Sequence, residues 1–166
     1  TGTYQQMQLG KITGMPPELD LDKERTLQQT LLEIIRSGIV NSAHDLSQGG
    51  LALALLTSCT ENFGILVNWE IDLRPDIALF SESQSRILLS ISPDNTELVE
   101  VVMQKKGVPC ARIGKVVSSG TSGSNCGVST VRFDISLNGT PVIQAELNPL
   151  RELWGNAIGR EMEISI

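Results

Sequence analysis

Asn138-Gly139 is the feature that most limits what this chain can fold into. An Asn-Gly pair between alternating apolar and polar residues favours a two-residue turn with both residues at positive φ. Such alternation runs from Thr130 to Leu137 on one side and from Thr140 to Gln144 on the other. A hairpin is expected, so part of any sheet the chain builds must be antiparallel. Helix and strand signals are mixed along the chain, and strict strand-helix alternation fails. The expected class is α+β, a partly antiparallel mixed sheet covered by helices.

The remaining punctuation gives the order of elements. Thr1 to Leu19 holds Gly2, Gly10, Gly14, Pro16 and Pro17 and reads as an irregular lead-in. A helix follows, with Asp20 or Asp22 as its cap, negative charge in its first turn and Gly38 as its stop. Its apolar face is Leu27, Leu31, Ile34 and Ile35. Ile39-Val40 open a strand through Asp45, and Leu51 to Leu56 is a buried small-residue helix. Strands are expected at Gly64–Ile71, Arg86–Ile91 and Cys110–Val117. Asp94 or Asn95 should cap a helix that ends at Lys105-Lys106-Gly107. Ser118 to Gly127 is a Ser/Gly loop. Asn148 as N-cap and Pro149 at the first helical position open a last helix with an apolar face of Leu150, Leu153, Trp154 and Ala157. With no internal repeat and no composition break, residues 1–166 read as a single domain.

Composition excludes several classes. The net charge of −6 argues against a nonspecific nucleic-acid binder, which presents a basic face. Cys59, Cys110 and Cys126 form no CxxC pair, so neither a zinc site nor a redox motif is indicated. Free thiols in a reducing compartment are the plain reading. No apolar run reaches the ~20 residues of a membrane span. The start Thr1-Gly2-Thr3-Tyr4 lacks an initiator Met and a signal-peptide layout, so an excised piece of a longer protein is expected.

Two polar clusters stand out. Ser42-Ala43-His44-Asp45-Leu46-Ser47-Gln48-Gly49-Gly50 lies between a strand end and a helix start. Gly49 and Gly50 allow close backbone approach, the helix N-terminus points N–H groups at an anion, and Asp45 offers oxygen to a metal. The alternative is purely local: Asp45 or Ser47 caps the helix and the glycines make the turn. His44, the sole histidine, has no nucleophile beside it in sequence and reads as structural more readily than as a base. Ser81-Glu82-Ser83-Gln84-Ser85-Arg86 precedes an apolar strand. Its acid, amide, hydroxyls and Arg can read a polar metabolite, or simply form a solvated start to the strand. Composition and spacing name no reaction.

The same two segments carry a family resemblance. Ser42 to Ala52 resembles the S-A-H-D-x-S-(D/E)-G-G-L-A segment of formylglycinamide ribonucleotide amidotransferase, and Leu79 to Arg86 resembles its L-F-G-E-S-Q-S-R segment. Asp20-Leu21-Asp22 with Glu24, and Cys110 to Gly114, are similar to further family segments in the same order. The resemblance covers most of Thr13 to Val117 and follows more loosely from Val128. It implies a C-terminal domain of the aminoimidazole ribonucleotide synthase type, and His44-Asp45 in place of the first-half Q-D marks the enzyme's second half.

By resemblance, Asp45 matches a magnesium ligand, and Glu82, Ser83 and Gln84 match a substrate-binding E-S-Q. Ser47, Gly49 and Gly50 are expected to bind phosphate from the geometry of the turn at a helix N-terminus, not from the resemblance. No catalytic residue is assigned. The resemblance implies a cytoplasmic ATP- and Mg2+-dependent ligase of purine synthesis acting on a nucleotide substrate. Its partners would be its own remaining domains and a glutaminase. Neither nucleic acid nor membrane is expected as a partner, and the fragment alone should be inactive. Gln48 in place of an acid and Ser81 in place of a glycine depart from the family pattern. Rival readings are another enzyme with the same domain type, and a noncatalytic interdomain scaffold.

Overall fold

The computed structural model describes residues 2–11, 14–118 and 130–157. They divide into two compact units, Thr1–Ala54 with Asp76–Arg112 and Leu55–Pro75 with Ile113–Ile166. The elements are α1 (Thr3–Leu9), α2 (Leu21–Arg36), β1 (Ser42–Asp45), α3 (Gly50–Ser58), β2 (Phe63–Trp69), α4 (Pro75–Phe80), β3 (Ile87–Ser90), α5 (Thr96–Lys105), β4 (Gly114–Ser118), β5 (Arg132–Leu137), β6 (Thr140–Glu146) and α6 (Leu147–Gly155). The class is α+β, as expected.

In the first unit, β1 and β3 pair antiparallel from Ser42↔Ser90 to Asp45↔Ile87. Asp20 caps α2: its Oδ1 accepts from the amides of Asp22 at 3.1 Å and Lys23 at 3.0 Å. Ile34 of α2 packs with Val99, Met103 and Val108, flanked by Leu27, Leu31, Ile39, Val40, Leu89 and Ile91. Each fully buried side chain of this kind stabilises the fold by about 1.5–3 kcal/mol. Ile35, expected on the same face, stays exposed.

In the second unit the sheet order is β4-β2-β5-β6. β2 and β5 run parallel, with Ile65↔Phe133 and Val67↔Ile135 in register and all four side chains buried. β4 and β6 pair antiparallel on the outside, which makes the sheet mixed. The expected hairpin forms: Asn138 and Gly139 have φ of 50° and 73°. Pro141 lies on the edge strand β6, where a missing N–H costs no ladder bond on the open side.

Four expectations need correction. The lead-in contains a helix, α1, ended by Gly10 in the left-handed region. It is too short to persist alone, and long-range contacts described below hold it. The last helix starts at Leu147, so Asn148 and Pro149 sit inside its first turn and Glu146 takes the N-cap position without a side-chain cap bond. Leu147 is fully buried and its amide donates to the Val131 carbonyl, so tertiary pairing fixes the start two residues early. Leu153 and Trp154 of that helix are exposed, not packed. Asn95 does sit at the α5 N-cap, but its amide donates to the Ile39 carbonyl and caps nothing. The Ser/Gly loop lies outside the described residues apart from Ser118, which closes β4.

Candidate functional site

The antiparallel pairing of β1 with β3 brings the two polar clusters to the same end of one ribbon. β1 ends at Asp45 and β3 starts at Ile87, its register partner. The Leu46 amide then donates to the Arg86 carbonyl at 3.0 Å and extends the pairing one step past the strands. The turn 46–49 and the loop 81–86 are therefore neighbours because a strand end and a strand start face each other.

Glu82 joins them. Its Oε1 accepts from the Gly49 amide at 2.9 Å and from the Thr3 amide at 3.1 Å. Burial pushes the Glu82 carboxyl up, but the Gly49 amide together with the Thr3 hydroxyl and amide outweighs it and holds its pKa below the usual glutamate value. The free N–H expected of the Gly49 turn for an outside anion thus meets an anion of the chain's own.

The glycine pair has a packing reason as well. Gly49 and Gly50 have φ of 79° and 62°. A Cβ on Gly50 would lie 2.7 Å from the Leu79 carbonyl oxygen and 2.8 Å from that of Ser81. The start of α3 can press on the end of α4 only where residue 50 has no side chain.

Arg86 secures the same corner. Its guanidinium donates to the Ser81 carbonyl at 3.0 Å and the Ala78 carbonyl at 3.1 Å, satisfying acceptors left over at the end of α4. Burial lowers its pKa. Gln84 Nε2 donates to the Glu18 carbonyl at 2.8 Å. Ser85 adopts a positive φ of 64° and its hydroxyl bonds the Glu24 carboxylate. That hydroxyl and the Gln28 amide hold the Glu24 pKa below its usual value. The Ser83 hydroxyl accepts from the Ser81 hydroxyl at 3.3 Å.

The other expected residues stay in the open. Asp45, Ser47 and His44 are exposed. His44 Nδ1 lies 2.6 Å from the Asp45 carbonyl, a local contact. Among the described residues no group of three His, Cys, Asp or Glu side chains is arranged to hold a metal ion. Asp45 supplies one exposed carboxylate and Glu82 is already spent on two amides. This donor set does not by itself fit Mg2+, which needs further oxygens from phosphate or water.

Thr3 and Arg86 are the members that sequence reasoning missed in their actual roles. The signal for α1 was present as the run Thr3 to Leu9, free of Gly and Pro between Gly2 and Gly10. In the second unit an open cleft of about 660 Å³ lies between the C-terminal end of α3 and α6, lined in part by Cys59, Glu61, Arg151, Glu152 and Trp154. Burial raises the Cys59 thiol to about 11. Among the described residues no helix is long and apolar enough to cross a membrane.

Comparison with known proteins places the chain in a family and agrees with its fold. A family model described as AIR synthase related protein, C-terminal domain, matches residues 1–126. The phosphoribosylformylglycinamidine synthase subunit PurL of Caldanaerobacter subterraneus subsp. tengcongensis is 37% identical over 161 residues, covering 96% of this chain and 20% of that protein. The subunit of the same name from Moorella thermoacetica is 36% identical over 150 residues, covering 90% of this chain and 19% of its own length. This chain therefore spans about a fifth of the curated relatives it matches. Among solved structures, PurLQS from Thermotoga maritima aligns with a TM-score of 0.64 at 21% identity, over 86% of this chain and 23% of that one. The PurL of that organism complexed with ATP aligns with a TM-score of 0.63 at 22% identity, over 76% of this chain and 21% of that one. At such identity these structures speak to the fold alone.

Proposed function

The chain belongs to the family of AIR synthase related proteins, C-terminal domain, and on that premise we propose that it is the last such domain of a phosphoribosylformylglycinamidine synthase. The whole enzyme would be a cytoplasmic ligase of purine biosynthesis that uses ATP and Mg2+ to convert formylglycinamide ribonucleotide to its amidine. ATP would activate the formamide oxygen as a leaving group, and ammonia from a glutaminase partner would displace it. Residues 1–166 would form one excised domain of that enzyme, contributing a sheet and a polar loop and no turnover of its own.

The observation that carries this reading is the match of 96% of this chain to a fifth of the PurL subunit, in a chain whose two family motifs meet through Gly49 and Glu82. Asp45, Ser47, Gly49, Gly50, Glu82, Ser83 and Gln84 remain the proposed ligand-facing set. Mg2+ would need oxygens from outside this domain, since Asp45 stands alone.

A second reading, that the domain is a noncatalytic scaffold, is favoured by one specific fact. Glu82, Gln84, Ser85 and Arg86 all have partners within the chain.

A chimera tests the proposal. The matching region of the Caldanaerobacter subunit is replaced by this chain, and amidine formation from formylglycinamide ribonucleotide, ATP and ammonia is measured. Activity within about tenfold of the parent supports the assignment. A folded but inactive chimera, or turnover by this chain alone, speaks against it.

A further inference from the structure

α1 is a helix of seven residues, Thr3–Leu9, with no buried residue. A helix of that length does not persist by itself in water, so contacts outside it must hold it. Long-range contacts at its start are among them. Its first amide, on Thr3, donates to Glu82 Oε1, 79 positions away. One residue on, the Tyr4 ring stacks on Phe80 with centroids 4.5 Å apart and planes 6° from parallel. Gly2 fits against the same carboxylate: a Cβ there would lie 3.0 Å from Glu82 Oε2. Met7 and Leu9, on the rest of the helix, face solvent.

From this we infer that α1 is a displaceable clasp over the 81–86 loop. Docked, it occupies the Glu82 carboxylate with a backbone N–H and covers the Phe80 ring. Released, it leaves Glu82 bonded to Gly49 alone, with lone pairs open to a ligand that brings its own N–H donors. None of the buried core side chains belongs to α1, so release leaves those residues in place. The chemistry of what α1 excludes follows from what it supplies. It presents neutral donors, the Thr3 amide and hydroxyl, to a carboxylate, so its competitor is a ligand with donors of its own, such as an amide, amidine or ammonium group, and not a phosphate. That the clasp regulates a ligand site rests on the function proposed above; its docking does not.

Tyr4 is the single tyrosine of the chain, so 3-fluorotyrosine labelling gives one fluorine signal that reports on α1 alone. Thr3→Pro removes the donated N–H and the hydroxyl that bonds the same carboxylate, while suiting the first position of a helix. Glu82→Gln keeps the shape and removes the charge. In both variants the fluorine signal should move toward that of a free peptide of residues 2–11, with the docked population falling roughly tenfold. Backbone resonances of Val99 and Met103 should stay where they are. Acetamidinium ion, a small N–H donor, is the probe of access. It should shift the Gly49 amide in Thr3→Pro at roughly a tenth of the concentration needed in the unaltered chain. Three results overturn the clasp: a Tyr4 signal unmoved by Thr3→Pro, loss of the Val99 and Met103 resonances together with α1, or acetamidinium acting equally on both proteins or on neither. None of these readouts involves the purine reaction, so a failed clasp and a failed chimera are separate results.

Discussion

The Gly49 amide donates to the Glu82 carboxylate at 2.9 Å across 33 positions of sequence. With the Leu46 amide to Arg86 carbonyl bond, it ties the two family motifs together, and it gives the α3 start an anion from within the chain. Removing it has a calculable consequence. Glu82→Ala leaves the Gly49 and Thr3 amides to water, and because the carboxylate is only partly buried the loss should be about 1 kcal/mol. Urea unfolding of the two proteins measures it; an unchanged midpoint would show that the bond does not hold the corner.

Acid should loosen the same corner. The folded pKa of Glu82 is depressed, so its contribution is present above the unfolded value of 4.5 and fades as pH falls through the lower folded value. Glu24 and Asp20 are depressed too and act in the same direction. Stability should therefore fall below about pH 4.5. Glu82→Gln should flatten part of that slope, measured as unfolding midpoint against pH. An identical slope in the variant would remove Glu82 from the explanation.

Gly50 and Gly139 separate sterics from backbone preference. Both have positive φ, but a Cβ on Gly139 meets nothing within 4 Å, whereas one on Gly50 runs into the Leu79 and Ser81 carbonyls. Gly139→Ala should cost about 1–2 kcal/mol. Gly50→Ala should cost at least about 3 kcal/mol because the α3–α4 contact must open as well. Equal losses in thermal unfolding would contradict the close packing of residue 50.

Asn138 does more than turn the hairpin. Its side chain accepts from the Ile71 amide and donates to the Ile71 carbonyl, both at 2.8 Å, and its own amide donates to the Trp69 carbonyl at 3.0 Å. Asn138→Ala loses both side-chain bonds and an easy positive φ, which together should cost about 1–2 kcal/mol. Asn138→Gly, which regains the backbone freedom but not the bonds, should recover part of it. Full recovery in the glycine variant would mean the Ile71 bonds contribute nothing.

Thiol chemistry should sort by burial. Cys59 is buried, its Sγ donates to the Leu55 carbonyl at 3.2 Å, and its pKa rises to about 11. Cys110 is exposed, with burial of the thiol and the Glu100 charge raising its pKa. In a Cys126→Ser background at pH 8, an aromatic disulfide reagent should modify Cys110 first and Cys59 only on unfolding. Simultaneous modification in the folded protein would contradict the burial of Cys59.

Much of the architecture was legible because its causes are local. Asp20 before a periodic apolar run announces α2 through a cap that acts over three residues. Asn138-Gly139 announces the hairpin through backbone preferences of two residues. The family motifs likewise stand in sequence at Ser42 to Ala52 and Leu79 to Arg86. The sequence by itself thus determined an α+β class, most element positions and the residues worth watching.

What those residues do was decided only in the folded chain. Glu82 reads as a binding acid until Thr3, 79 positions away, is found donating to it. The glycine pair reads as a phosphate turn until Gly50 is found against the end of α4. α1 exists because Tyr4 meets Phe80, and α6 begins early because Leu147 is buried and bonded to Val131. In each case the deciding partner is far away in sequence, and the free energy of a contact between distant segments leaves no mark on the local pattern of either one.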